Sequence, residues 1–329
     1  MPPTATSGTV TASLTGLQPS TTYYFAPTVT VGGTGSYAAQ SAVVVGSIAS
    51  FTTTSAEPAI ARAWAELPAA SESNSNYYVG TFYAGSERNY TYLYDRSTYT
   101  SYWVAYPLIA SQTTGTRSGT WKQNPNIATS DQINIWTSSY GVNYGSTDAS
   151  DYNSALEIYA RGHQIPDGDR SGVSAMQVQT YYATNSTPQI QNKFNGGIWN
   201  QLEDAVRGAI PSSDTLYVVT GATLRKVGGN ETITYIHPKN DASKNCPVPN
   251  YYYKVLLKVK RSGNTITDAS AIGFWLPHTL YNDGSTWGNY AVSVDQIEQW
   301  TGFNFFVNLP PAVESSAESN SSWTTFGNF

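Results

Sequence analysis

The stretch that decides the fold opens as Ala160-Arg161-Gly162-His163 and closes as Phe194-Asn195-Gly196-Gly197-Ile198-Trp199-Asn200-Gln201-Leu202-Glu203-Asp204-Ala205-Val206-Arg207. Upstream, Leu156-Glu157-Ile158-Tyr159-Ala160 alternates along its length and predicts a strand that runs directly into His163. From Asn195 to Ile210 the period changes. Trp199, Leu202, Val206 and Ala209 recur at helical spacing and predict a helix with one apolar stripe. Asn195 stands at its start, where free backbone N–H groups and the positive end of the dipole favour an anionic ligand. Glu203 follows two turns later, roughly 12 Å along the axis at about 1.5 Å per residue. Helical side chains lean toward the N-terminus, so Glu203 can approach a cation near Asn195 through a shared water. Arg207 stands one turn beyond Glu203, at a spacing that favours pairing.

Taken singly, these residues say little. An exposed Glu–Arg pair on a helix is common and weak, and an isolated histidine is more often a structural hydrogen-bonder than a catalyst. Together they supply what metal-assisted cleavage of a phosphodiester requires. His163 can deprotonate water, Asn195 is a hard oxygen ligand, Glu203 can fix the waters of a cation, and Arg161 can take up phosphate charge. The other two histidines, His237 and His278, flank prolines in loop-like sequence. Neither has a carboxylate or cysteine at ligand spacing, and no zinc pattern is present.

A chain of 329 residues exceeds the usual single domain, so a main domain with an appendage is expected. Its apolar fraction of 40%, with 25 Tyr and 9 Trp, is enough for a sizeable core. Only 12% of residues are charged, and Ser, Thr, Asn, Gly and Tyr abound. That composition points to a secreted, periplasmic or cell-surface protein. Met1-Pro2-Pro3-Thr4 begins no basic segment with an apolar run after it, so a leader is absent from this chain. No apolar run is long enough to span a bilayer, so membrane insertion is not expected. Cys246 is alone, which rules out a disulfide within the chain. Net charge is −5. Tight static binding to nucleic acid calls for a broad basic surface and is disfavoured; turnover needs positive potential only in a cleft.

Residues 1–54 contain no Lys or Arg. Thr9–Leu14, Tyr24–Val31 and Ser47–Thr54 read as strands. Between them, Leu17-Gln18-Pro19-Ser20-Thr21-Thr22-Tyr23 resembles the tyrosine corner of fibronectin type III sandwiches. The segment is about half of such a domain. A partial β-sandwich leaves an uncovered apolar face and a free edge, so we expect the segment to be truncated, packed on the main domain or paired with another chain. Residues 55–76 read as a linker with one short helix around Ala59–Leu67. The main domain is expected over 77–313, with strands at Asn89–Tyr94, Tyr102–Tyr106 and Tyr251–Lys260. In the last of these, Tyr251, Tyr253, Val255, Leu257 and Val259 share one face, and Lys254, Lys258 and Lys260 the other. Gly115–Asn143 reads as a polar surface excursion. Ser293-Val294-Asp295-Gln296 has capping-box spacing and starts a helix that Gly302 stops. Residues 314–329 read as a Ser/Asn-rich tail.

The ordered set Asp95-Arg96-Ser97-Thr98, Trp103-Val104-Ala105-Tyr106, Arg161-Gly162-His163-Gln164-Ile165-Pro166, Asn185-Ser186-Thr187-Pro188-Gln189, Phe194-Asn195 to Arg207, and Tyr253-Lys254-Val255 resembles the DNA/RNA non-specific endonucleases. These belong to the ββα-metal (His-Me finger) nucleases, and the likeness runs in matching order from Tyr77 to Val313. It implies an α+β fold with a central, mostly antiparallel sheet, and hydrolysis of DNA and RNA that leaves 5′-phosphates. It further implies dependence on Mg²⁺, with Mn²⁺ as a substitute. By the same resemblance, His163 is the general base, Asn195 the direct metal ligand and Glu203 a ligand through water. Arg161, Arg96 and Arg207 would contact the scissile phosphate, and Asn185 would lie near the histidine. Two departures stand out. Ala160 occupies a position where the family usually has Asp, and the interval from Asn185 to Asn195 is one residue longer than usual. The alternative reading is a surface or matrix binding protein on a nuclease fold with weakened catalysis, to which Ala160 and the acidic net charge lend support.

Overall fold

A computed structural model describes residues 21–32, 41–52, 64–69, 74–140, 159–212, 214–263 and 265–329. The chain divides into two compact units, Met1–Ala63 and Trp64–Phe329.

In the first unit, β1 (Thr22–Phe25), β2 (Thr28–Gly32), β3 (Ser41–Val45) and β4 (Ala49–Thr52) form two antiparallel pairs, β1 with β4 and β2 with β3. The strand expected from Tyr24 to Val31 is interrupted at Ala26-Pro27, because proline fixes φ and has no N–H to give a ladder. Tyr23 stacks on Phe51 with ring centroids 5.9 Å apart. Tyr24 and Ile48 are 73% and 74% exposed, and Val29, Val44 and Val45 are exposed too; Val44 and Val45 are consecutive in β3 and so lie on opposite sides of it. Thr9–Leu14, Leu17–Ser20 and most of the helix expected around Ala59–Leu67 lie outside the described residues.

The second unit runs β5 (Tyr77–Ala84), β6 (Glu87–Asp95), β7 (Thr100–Leu108), β8 (Tyr159–His163), α1 (Ser174–Thr180), β9 (Ser186–Ile190), α2 (Asn200–Gly208), β10 (Leu216–Thr223), β11 (Tyr235–Ile236), β12 (Cys246–Pro247), β13 (Tyr251–Ser262), β14 (Thr265–Pro277), β15 (Ala291–Val292), α3 (Val294–Thr301), α4 (Pro311–Glu318) and α5 (Trp323–Gly327). Seven strands make one antiparallel sheet in the order β15-β14-β13-β10-β7-β6-β5. Period-two alternation gives the sheet two apolar faces. Tyr90, Tyr92, Val104, Tyr106, Val218, Tyr252, Leu256 and Phe274 point to one, where the β8–β9 hairpin and α2 cover them. Leu93, Trp103, Ala105, Val219, Tyr253, Val255, Leu257 and Trp275 point to the other, packed by Val294 and Ile297 of α3, Phe305, Phe306 and Ala317 of α4. Trp199, Leu202 and Val206 anchor α2; burying side chains of this size stabilises by about 1.5–3 kcal/mol each. Helix α3 begins and ends as expected: Ser293 Oγ accepts from Gln296 N at 3.2 Å, and Gly302 closes it at φ 75°.

Several expectations need correction. The sequence left the depth of the lysine face of β13 open: burial falls from Lys254 through the half-buried Lys258 to the exposed Lys260. Lys254 is 1% exposed, its Nζ 4.5 Å from the centre of the Trp199 ring. The stretch read as a surface excursion buries Ile127, Ile133, Ile135 and Tyr140, and Gln132 braces it by donating to the carbonyls of Asn124 and Ile127. The Ser/Asn-rich tail carries α5 and the end of α4. Lys258 Nζ reaches the Phe326 carbonyl at 3.1 Å, and Asn320 donates to Ala271 O at 2.9 Å. Part of the expected linker also belongs to the core: Ala65 and Glu66 are buried, and Glu66 pairs with Arg88. Among the described residues no helix is long and apolar enough to cross a membrane.

Candidate active site

His163 ends β8, whose partner β9 returns antiparallel from Ser186 to Ile190. Gly162 is required beside it, because a Cβ there would collide with the Gln189 side chain. After β9 the chain winds irregularly from Gln191 to Trp199, with Lys193 at φ 64° and non-helical backbone at Asn192 and Gly197. Regular α-helix starts only at Asn200. Asn195 therefore sits in this kinked entry segment and not in the first turn of a helix that starts at Asn195. Hairpin, wound segment and α2 together make a ββα unit. They bring His163, Asn195 and Glu203 to the wall of one pocket of about 290 Å³, with Arg117, Asp167, Tyr181, Gln191 and Asn200.

The surroundings of each group bear on what it can do. His163 is partly exposed to the pocket and flanked by Trp121 and Tyr181, with ring centroids 4.6 and 5.0 Å away. Its Nε2 has no hydrogen-bond partner among the described residues. Burial pushes the imidazole down to about 4; Asp167 opposes this, and Arg117 and Arg161 add to it, so the ring is neutral at pH 7. Asn195 donates from Nδ2 to Gln191 Oε1 at 2.9 Å, which leaves its oxygen for the pocket. Glu203 is 8% exposed, and burial raises its carboxyl to about 7 against the opposing charges of Lys254, Arg207 and Arg117. Asp167 is held by Gln177 and Tyr181 at 2.6 and 2.8 Å.

The remaining predicted residues are placed differently. Arg161 donates to Ile135 O at 3.0 Å and lies 5.4 Å from the centre of the Trp121 ring, behind the pocket wall. That carbonyl and ring orient it in a chain where Ala160 supplies no carboxylate. Arg207 does not pair with Glu203. Its two terminal nitrogens reach Asp169 at 2.8 Å and Asp204 at 2.7 Å. Burial opposes its charge, but these carboxylates outweigh burial and hold the guanidinium charged. Asn185 is buried and spends its amide on backbone, donating to Ile165 O and Thr180 O and accepting from Ile165 N. It clamps the turn after His163. Arg96 is not in the pocket. It donates to the carbonyls of Ser75 and Asn76 beside the start of β5.

Two cations at the site were not picked out from sequence. Arg117 lies in the supposed surface excursion, yet Lys122 bridges to Tyr182 and carries that segment back across the pocket. The Thr116-Arg117-Ser118 run before Trp121-Lys122 was the available signal. The alternation of β13 gives Lys254 its face of the strand but not its depth beneath α2.

A family profile for DNA/RNA non-specific endonucleases matches residues 72–312. Nuclease C1 of Cunninghamella echinulata var. echinulata is 30% identical over 154 residues, 46% of this chain and 58% of its own length. The nuclease of Serratia marcescens is 27% identical over 222 residues, 66% of this chain and 72% of that protein. The mitochondrial Nuclease 1 of Schizosaccharomyces pombe is 28% identical, and the alignment spans 47% of its length. The chain thus spans only about half the length of several relatives it matches. A chain in the crystal structure of the EndoG/EndoGI complex shares the fold, with a TM-score of 0.52 at 20% identity over 71% of this chain and 88% of that one. With a profile match that takes in β5 through α3 and every residue lining the pocket, the chain belongs to the DNA/RNA non-specific endonuclease family.

Proposed function

We propose that this chain is a divalent-metal-dependent endonuclease that hydrolyses DNA and RNA, with His163 as general base. The observation that carries the reading is the convergence of a neutral imidazole, an amide oxygen and a buried carboxylate on one polar pocket. Asn195 and Glu203 would hold Mg²⁺ or Mn²⁺, Asn195 directly and Glu203 through water. Two hard oxygens suit a cation that keeps most of its waters. Bound there, the cation supplies positive charge to the leaving 3′ oxygen.

His163 accepts a proton from water at neutral pH, because its ring lines the pocket and is uncharged. Arg117 faces the same pocket and serves the phosphate directly. Arg161, carried in by the family resemblance, would reach the phosphate from behind Trp121. Arg207 stays tied to Asp169 and Asp204 and fixes the carboxylate side of the site. All of these groups address phosphate and none a base edge, so cleavage has little sequence preference; 5′-phosphate products are what the family resemblance implies. We retain export as part of the proposal, on the low charged fraction of the chain. The reading as a weakened binding protein rests on Ala160 and the acidic net charge; against the first, Arg161 donates to the Ile135 carbonyl, which helps to orient it.

A plasmid-nicking assay with and without chelator tests the proposal. Nicking that needs Mg²⁺ is expected, and no nicking at any metal concentration would contradict it. Asn195→Ala should shift the Mg²⁺ titration to higher concentration; an unchanged curve would remove Asn195 as ligand.

A further inference from the structure

We propose that Asp295, Glu298 and Glu318 form a second divalent-cation site, of the Ca²⁺ type, that ties α3 to α4 on the sheet face away from the catalytic pocket. One carboxylate oxygen from each residue lies within 4.8 Å of the other two. Metal–oxygen bonds of about 2.3–2.6 Å let Ca²⁺ bridge oxygens that far apart, whereas Mg²⁺ at about 2.0–2.1 Å draws its ligands closer. The site is assembled from two elements. Asp295 is in the first turn of α3, Glu298 one turn further on, and Glu318 ends α4.

Independent support comes from Glu318 itself. It is 5% exposed, and its Oε1 is buried with no hydrogen-bond partner among the described residues. A buried, unpaired carboxylate is strongly disfavoured unless something neutralises it. No Lys or Arg forms an ion pair with any of the three among the described residues, and the further charge acting on Glu318 is another carboxylate, Glu314. Glu298 commits Oε1 to the Phe305 N–H at 2.6 Å and keeps its second oxygen. A proton could satisfy Glu318 but would leave Asp295 and Glu298 facing each other. A Ca²⁺ ion offsets two of the three negative charges and gives the orphaned oxygen a ligand bond. The catalytic side is built differently, since Asp169 has Arg207 and Glu203 has the field of Lys254.

The test uses the full chain, stripped with chelator and titrated with Ca²⁺ alone by calorimetry and thermal melting. One Ca²⁺ should bind outside the pocket, and saturation should raise Tm by about 5 °C or more. The rise should persist in Asn195→Ala and disappear in Glu318→Gln. If Glu318→Gln fails to fold, Asp295→Asn, at an exposed position, should still abolish the rise. Absence of binding overturns the proposal, as does an undiminished rise in Asp295→Asn or Glu318→Gln. Loss of the rise in Asn195→Ala would place the ion in the catalytic pocket and overturn it equally. A Glu318→Gln chain more stable than the parent, with no response to Ca²⁺ in either, would assign a buried protonated acid instead.

Discussion

Beneath α2, Lys254 lies buried against Trp199 with Glu203 and Asp169 in its field; across the sheet, Glu318 lies buried at the end of α4 with no cation paired to it. Both places put carboxylates in a low-dielectric interior, but only the first answers them with side chains of its own. Arg207 meets Asp169, and Arg170 is enclosed with its five N–H donors given to Asn89, Gln112, Asp169 and Pro107. A pocket that must accept a phosphate and a hydrated cation can keep its shape only if its internal charges are settled beforehand. On the opposite face we assign the charge balance to a bound ion. The difference shows that a buried acid has to be judged by what is paired with it.

The comparison breaks most visibly at Arg170. Arg170→Met would remove a donor from the side chains of Asn89 and Gln112 and from three carbonyls, and should destabilise the fold by about 3–5 kcal/mol. Urea denaturation measures it, and a loss under about 1 kcal/mol would mean that the buried cations of this face are not structural. Next in size are the two arginines that the sequence and the structure rank oppositely. Arg117→Ala should lower kcat/KM by about 10- to 100-fold, the worth of one charged hydrogen bond to the transition state. Arg96→Ala, which loses only carbonyl contacts near β5, should change it by less than about twofold. The reverse order would restore Arg96 to the site.

A smaller effect concerns pH. His278 accepts from Ile190 N at Nε2, 2.8 Å, and its Nδ1 meets Pro249 O at 2.7 Å, which fixes the tautomer with hydrogen on Nδ1. Burial lowers this ring to about 4, with the Pro249 contact opposing. The unfolded chain therefore binds more protons between pH 6.5 and 4, and stability present above pH 6.5 is lost as pH falls through that window. The loss should be on the order of 1–2 kcal/mol, and His278→Gln should show a shallower decline. Equal slopes would show that His278 does not couple β9 to the start of β13.

Much of this was legible in sequence wherever the signal was local. The Ser293 cap and the Gly302 stop needed only neighbouring residues, and the strand alternation of β13 assigned its faces correctly. His163 and the Asn195–Glu203 spacing named residues that share one pocket, whereas Arg161 does not line it. What escaped depended on long-range return of the chain. Arg117 lies in a segment whose polar, turn-rich composition gives no hint that it crosses back over Tyr181 and Tyr182. Arg96 follows an Asp95 that suggested the site, but its carbonyl partners come from residues 75 and 76. The depth of Lys254 follows from α2 covering the second face, which no strand pattern encodes. Helix α5 hides in Ser/Asn-rich sequence and is marked only by Ser322, whose hydroxyl accepts from Thr325 N at 3.2 Å.

The most direct measurement is the cleavage rate of His163→Ala at saturating Mg²⁺, with folding verified by its melting curve. A general base lost from this pocket should lower kcat by about a hundredfold or more. A folded His163→Ala chain that cuts plasmid at the parent rate would contradict the account.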